Sequence, residues 1–262
     1  MNNMIKAECY RVRHTSSLVM LLICSLVVAV LPIIDATGYY DSFWDVSGTG
    51  YLGLFVSGGV GMASILLPFL MIFLIGYHED KWYVSCFDKY MDIYFIKKPQ
   101  ILISRVLAVG VPFTSYVILL IGCFMGFFTI KNGFTDVIVG NIFQGNVLLR
   151  LMILWVTNVH ISAVEICIAY LFRSAKKSTV FTSVFFFLRW IFHLLMDTPR
   201  TKLDMLRQRF DPISLQKIAF EGGDNTQLLL WITASVICFV VDVAILCVVY
   251  YLIERLKYEK NL

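Results

Sequence analysis

HEDKWYVSCFDKYMDIYFIKKPQILISR, residues 78–105, is the polar interval between the second and third long apolar runs of the chain. Trp82, Tyr83, Cys86, Phe87, Tyr90 and Tyr94 recur at spacings of three and four, so a helix here carries one aromatic face. Lys81, Ser85, Asp88, Lys89 and Asp92 fall opposite, and Lys97, Lys98, Pro99 and Arg105 form a cationic hinge before the next apolar run. Such a helix cannot span a bilayer, because its polar stripe would be stranded in hydrocarbon. It lies along a surface or docks on a partner.

Working outward, the apolar runs set the class. Hydrophobic residues make up 59% of the 262 and charged residues only 15%, with a mean hydropathy of +0.77. A soluble domain of this length has no core large enough for that much apolar surface, so the chain reads as all-α and polytopic in a membrane. Candidate spans are residues 17–34, 52–77, 106–128, 147–172, 178–196 and 228–253, each near the roughly 20 residues that cross a bilayer core. Residues 17–34 are too long for a signal-peptide core and read as a retained first span. Six spans place both termini on one side. The N-terminus, residues 78–105, the 173–177 turn and the C-terminal tail are rich in Lys and Arg. By contrast, residues 35–51 have none, residues 129–146 only Lys131, and residues 197–227 have Arg200, Lys202, Arg207, Arg209 and Lys217 diluted by as many acids. The positive-inside rule therefore puts both termini and residues 78–105 in the cytosol.

Residues 1–15 carry Ile5, Cys9 and Val12 as a weak apolar stripe and read as an interfacial helix. The outward connection 197–227 reads as two short interfacial or re-entrant helices. Leu203, Leu206 and Phe210 share one face, Asp211-Pro212 breaks the run, and Leu215, Ile218 and Phe220 follow. A solvated loop is the plainer reading of the same stretch. Gly122 and Gly126 form a small-xxx-small pair for close helix packing.

Catalytic and cofactor motifs are missing. There is no Gly-Lys dipeptide for a phosphate-binding loop, no His-Glu-x-x-His and no Gly-x-Ser-x-Gly. The seven cysteines show no metal-ligand spacing, and none lies in an expected outward loop. We expect no enzyme and no cofactor, and the modest net charge of +4 gives no reason to expect nucleic acid. What stands out is ionisable residues inside spans: Arg150, His160, Glu165, Arg189, His193 and Asp242. Arg150 can snorkel outward. His160 and Glu165, five apart, turn away from each other on an ideal helix. Glu165, Arg189 and Asp242 lie deeper. They line a translocation path or dimer seam, or Arg189 pairs with Glu165 or Asp242 simply to hold helices together.

Six spans with cytosolic ends, a short amphipathic N-terminus and an amphipathic first cytosolic loop form a recognisable set. Within it, Phe95-Ile-Lys-Lys-Pro-Gln-Ile-Leu-Ile-Ser-Arg105-Val-Leu-Ala108 is a basic stretch, an aliphatic cluster, then Ser-Arg and a Leu-Ala entry to the third span. Asp211-Pro212-Ile213-Ser214 supplies a Pro-containing stretch before the last helix. The whole chain resembles a single ABC-2 type transmembrane domain, the permease subunit of type V ABC exporters. It departs from the family where Glu79 leads into Asp80-Lys81-Trp82 instead of Gly-Thr/Ser. The resemblance implies that residues 78–105 are a coupling segment. Trp82, Tyr83, Cys86, Phe87, Tyr90 and Tyr94 would then sit in a groove on a separate cytosolic ATPase. It further implies a second permease subunit, identical or similar, and a place in the cell membrane, on family grounds the bacterial cytoplasmic membrane. Cargo by analogy is an amphipathic molecule such as an antimicrobial peptide, in an immunity role, or a drug. A non-transporting sensor or assembly protein is the alternative from another class. A secondary transporter would show internal repeats and broken helices, which the halves do not suggest.

Overall fold

The computed structural model describes residues 2–14, 16, 19–23, 26, 60–84, 98–131, 146–172, 174–195, 212, 215 and 225–260. All of these are helical except Ser16 and Ser174. The helices are α1 (Asn2–His14), α2 (Val60–Val84), α3 (Lys98–Arg105), α4 (Val111–Lys131), α5 (Asn146–Phe172), α6 (Ala175–Leu195) and α7 (Asn225–Lys260), with a π turn, Val106–Gly110, joining α3 to α4. Among the described residues three stretches are long and apolar enough to cross a membrane: Gln100–Leu120, Leu151–Phe172 and Leu228–Val249. The described part of the chain is thus helical, with helices of membrane-spanning length and composition. Of the first expected span only residues 19–23 and 26 are described, and of the connection 197–227 only Pro212 and Leu215, both helical and buried.

α5 is the central element. It packs against α2, α3, α4, α6 and α7, and 78% of its span is buried against 11% of the α7 span. That contrast follows from composition. α7 presents Val240, Val241, Ile245 and Val248 outward, side chains that cost nothing in lipid. α5 instead carries Thr157, Asn158, Ser162 and Glu165, all buried, and needs protein around them. Their donors return to the helix's own backbone. Thr157 Oγ1 donates to the Ile153 carbonyl at 2.8 Å, Asn158 Nδ2 to Leu154 at 2.8 Å and Ser162 Oγ to Asn158 at 2.8 Å. The main core, Leu67, Met71, Leu74, Ile75, Val109, Phe113, Val117, Leu154 and Ile166, fills the space between α2, α4 and α5. Ile72, Ile161, Val164, Ile168 and Phe186 fill that between α2, α5 and α6.

Two helices run past the expected ends of the apolar runs. α2 runs unbroken through His78 to Val84, and His78 and Glu79 are fully buried within the protein. The helix that holds the expected third span likewise starts before residue 106. The helix begins at Lys98, and Ile101, Ser104 and Arg105 are already buried. The π turn has a cause in Pro112, which has no N–H to donate and whose ring crowds the carbonyl of Ala108. Widening the preceding turn lets the Val111 N–H bond the Val106 carbonyl instead. In α1 the buried stripe is Met4, Glu8 and Val12, with Ile5 and Cys9 only half-buried. The apolar reading missed Glu8 because a carboxylate scores as solvent-seeking. α7 also continues through the charged tail to Lys260, about 54 Å in all, and so outruns a hydrocarbon core of about 30 Å.

Candidate functional site

Charged and hydroxylic side chains gather at three places. The first joins α1, the end of α2 and α3. Arg105, on α3, donates from Nη1 to Glu79 Oε2 at 2.9 Å, and both side chains are fully buried. Arg105 Nε lies 3.7 Å from Glu8 Oε1, and Arg11 Nε donates to Glu8 Oε2 at 3.0 Å. Arg11 Nη2 lies 3.8 Å from Glu79 Oε1 and 2.6 Å from His78 Nε2. A guanidinium can only donate, so His78 Nε2 accepts and Nδ1 carries the proton. The cluster therefore holds two carboxylates, two guanidinia and a neutral imidazole. Burial, then the Arg11 and Arg105 charges, holds His78 well below the usual imidazole range. Burial also pushes the Glu8 carboxyl up, against the pull of Arg11 and Arg105. Breaking one member of such a buried pair typically costs about 3–5 kcal/mol.

The second cluster lies between α5, α6 and α7. Asp242 Oδ2 accepts from Arg189 Nη1 at 2.8 Å and from His160 Nε2 at 2.9 Å. Arg189 Nη2 reaches Cys238 Sγ at 3.6 Å, and its guanidinium lies 5.3 Å from the Phe185 ring centre. His160 stands edge-on to Phe239 at 5.6 Å. The ligand atoms of His160, Cys238 and Asp242 all lie within 4.8 Å of one another, a group able to hold a metal ion. Arg189 already places its positive charge on the same carboxylate oxygen and thiol, so a metal would have to displace it. The charge balance of the cluster is that of a helix clamp.

At the third place Glu165 is fully buried where α2, α5 and α6 meet. Thr179 Oγ1 donates to Glu165 Oε1 at 3.2 Å and to the Ala175 carbonyl at 2.9 Å, while Ser178 Oγ donates to the Glu165 carbonyl at 3.3 Å. Gly76 makes room. A Cβ there would collide with the Thr179 hydroxyl and come within 3.4 Å of Glu165 Oε1.

Of the deep residues singled out in the sequence, Arg189 pairs with Asp242 and leaves Glu165 elsewhere, while His160 and Glu165 do face different partners. Of the aromatic face, Trp82 and Tyr83 lie on the helical backbone that ends α2. Cys86, Phe87, Tyr90 and Tyr94 lie outside the described residues. Sequence reasoning missed Glu8, Arg11, Glu79 and Arg105 as a cluster. Its one local signal was the i,i+3 Glu8–Arg11 pair on α1.

With both the bundle and its charge clusters in view, the class is an all-helical protein with membrane-spanning segments. No protein-family model matches the chain, and neither does any curated protein or solved structure.

Proposed function

We propose that the chain is the membrane-spanning subunit of an ATP-driven exporter, an ABC-2 type permease. It has six spans, both termini in the cytosol, and a place in the cell membrane. A separate cytosolic ATPase hydrolyses ATP and engages residues 78–105, and a second permease subunit completes the pathway. The observation that supports this reading is the buried cluster of Glu8, Arg11, His78, Glu79 and Arg105. It ties the two ends of the 78–105 segment to each other and to α1. A push on that segment is then passed to the second and third spans together, because the cluster joins the two ends. The cargo, an amphipathic molecule such as an antimicrobial peptide or drug, follows from the family resemblance alone.

The test is affinity purification of the tagged chain from its native membranes in several mild detergents, with an ATPase assay on what copurifies. A Tyr83→Asp/Phe87→Asp double variant serves as the comparison. An ATPase that accompanies the wild type and is lost from the variant supports the coupling role. If none accompanies the wild type in any detergent, the exporter reading falls and a sensor or assembly protein takes its place.

A further inference from the structure

We propose that Glu165 is the centre of a binding site for one small monovalent cation taken from solution, an alkali ion or a proton. The site is built from three helices. α5 supplies the carboxylate, α6 the hydroxyls of Ser178, Thr179 and Thr182, and α2 the Gly76 backbone that leaves space for them. Thr182 follows Ser178 by four and Thr179 by three, one turn on along α6, and all three hydroxyls bear on Glu165. Together with the two carboxylate oxygens they make a set of five oxygens and no nitrogen or sulfur, the donor chemistry of hard cations.

Two further observations point to an occupant. Glu165 Oε2 and Thr182 Oγ1 are both completely buried; the Thr182 hydroxyl stands near the carboxylate, yet neither atom completes a hydrogen bond of good geometry with any described residue. The carboxylate also forms no ion pair with any described residue. Arg189, the basic residue on its neighbouring helix that sequence offered as a partner, is committed to Asp242. On α2 the charged residue bearing on Glu165 is Glu79, which adds negative charge and is itself paired to Arg105. His160, on the same helix as Glu165, is turned to Asp242. A carboxylate with no ion-pair partner among the described residues, about 10 Å from the end of a membrane helix, is too costly to keep ionised. One positive charge neutralises it, whereas a divalent ion would leave a net charge of the opposite sign. The inference does not depend on an ATPase partner or on the identity of any cargo.

Dicyclohexylcarbodiimide, which couples to protonated carboxyls in apolar surroundings, is the probe. The purified full-length chain in detergent is labelled across pH 6–9 in sodium chloride or, at equal ionic strength, choline chloride. The Glu165 peptide is then quantified by mass spectrometry. A proton site is labelled equally in both salts, with labelling falling about tenfold per pH unit above the midpoint. An alkali site is protected by sodium and not by choline at fixed pH. Thr182→Val removes one oxygen and should shift the midpoint of whichever titration is seen, which a merely structural hydroxyl would not do. Melting temperature gives an independent reading. Its dependence on sodium or pH should shrink in Glu165→Gln, which keeps the shape and loses the charge. Glu165 labelling that ignores both pH and sodium, or equal melting dependence in wild type and Glu165→Gln, would overturn the proposal.

Discussion

Acid should loosen α1 through His78. In the folded chain this imidazole accepts a hydrogen bond from Arg11 and sits close to the Arg105 charge, so burial and both guanidinia hold it neutral well below its usual range near 6.5. A group whose folded value is depressed contributes stability above its unfolded value and loses it as pH falls. The window for His78 therefore opens at about 6.5 and extends downward. One unit into that window, at pH 5.5, the loss is about 1.4 kcal/mol, or a factor of about 10 in the opening equilibrium. Glu8 runs the other way. Its folded value is raised above 4.5, so its contribution is complete at low pH and disappears as pH rises through the raised value. A comparison at one pH against His78→Gln, which can accept from Arg11 and cannot protonate, removes both the Glu8 contribution and the intrinsic pH dependence of exchange. Hydrogen exchange of the Asn2–His14 amides, read by mass spectrometry, should match in the two chains at pH 7.5. At pH 5.5 it should be about tenfold faster in wild type. Equal exchange at both values would refute the neutral-acceptor assignment.

Two substitutions test the other seams. Asp242→Asn should destabilise the bundle by about 2–4 kcal/mol by leaving Arg189 without its carboxylate. The Asp242→Asn/Arg189→Gln pair should recover most of the loss in melting temperature, and a double variant no better than the single one would argue against a clamp. Gly76→Ala should cost about 1–3 kcal/mol, because the new methyl meets the Thr179 side chain. Adding Thr179→Ala should recover part of it in the same melt, and additive losses would count against close contact at that crossing.

The apolar runs were legible because each is long and continuous. Residues 147–172 and 178–196 correspond to helices Asn146–Phe172 and Ala175–Leu195. The end of α2 and the start of α3 were not, for a definite physical reason. Hydropathy charges His78, Glu79 and Arg105 as isolated groups exposed to lipid, while in the fold they neutralise one another and residues of α1 that lie some 70 to 100 positions away in sequence. The same limit governed Arg189. Composition narrowed its partner to Glu165 or Asp242, but choosing between them requires knowing how α6 is rotated about its axis, which depends on packing with α5 and α7. Gly76 carried no signal at all, since its role is the absence of a side chain where another helix's hydroxyl needs the room.

The π turn at Val106–Gly110 means that the helix from Lys98 to Lys131 contains one surplus residue relative to a regular α-helix. A surplus residue can travel. Each position it passes is rotated by about 100° and advanced by about 1.5 Å, while the rest of the rod stays in register. Arg105, which holds Glu79, immediately precedes this turn, while Val109 within it and Phe113 just after it belong to the core. Migration of the turn toward the N-terminus would unscrew the guanidinium from its carboxylates without moving the apolar packing beyond. A rod of that kind works as a screw thread, turning displacement along its axis into the opening of a buried charge lock.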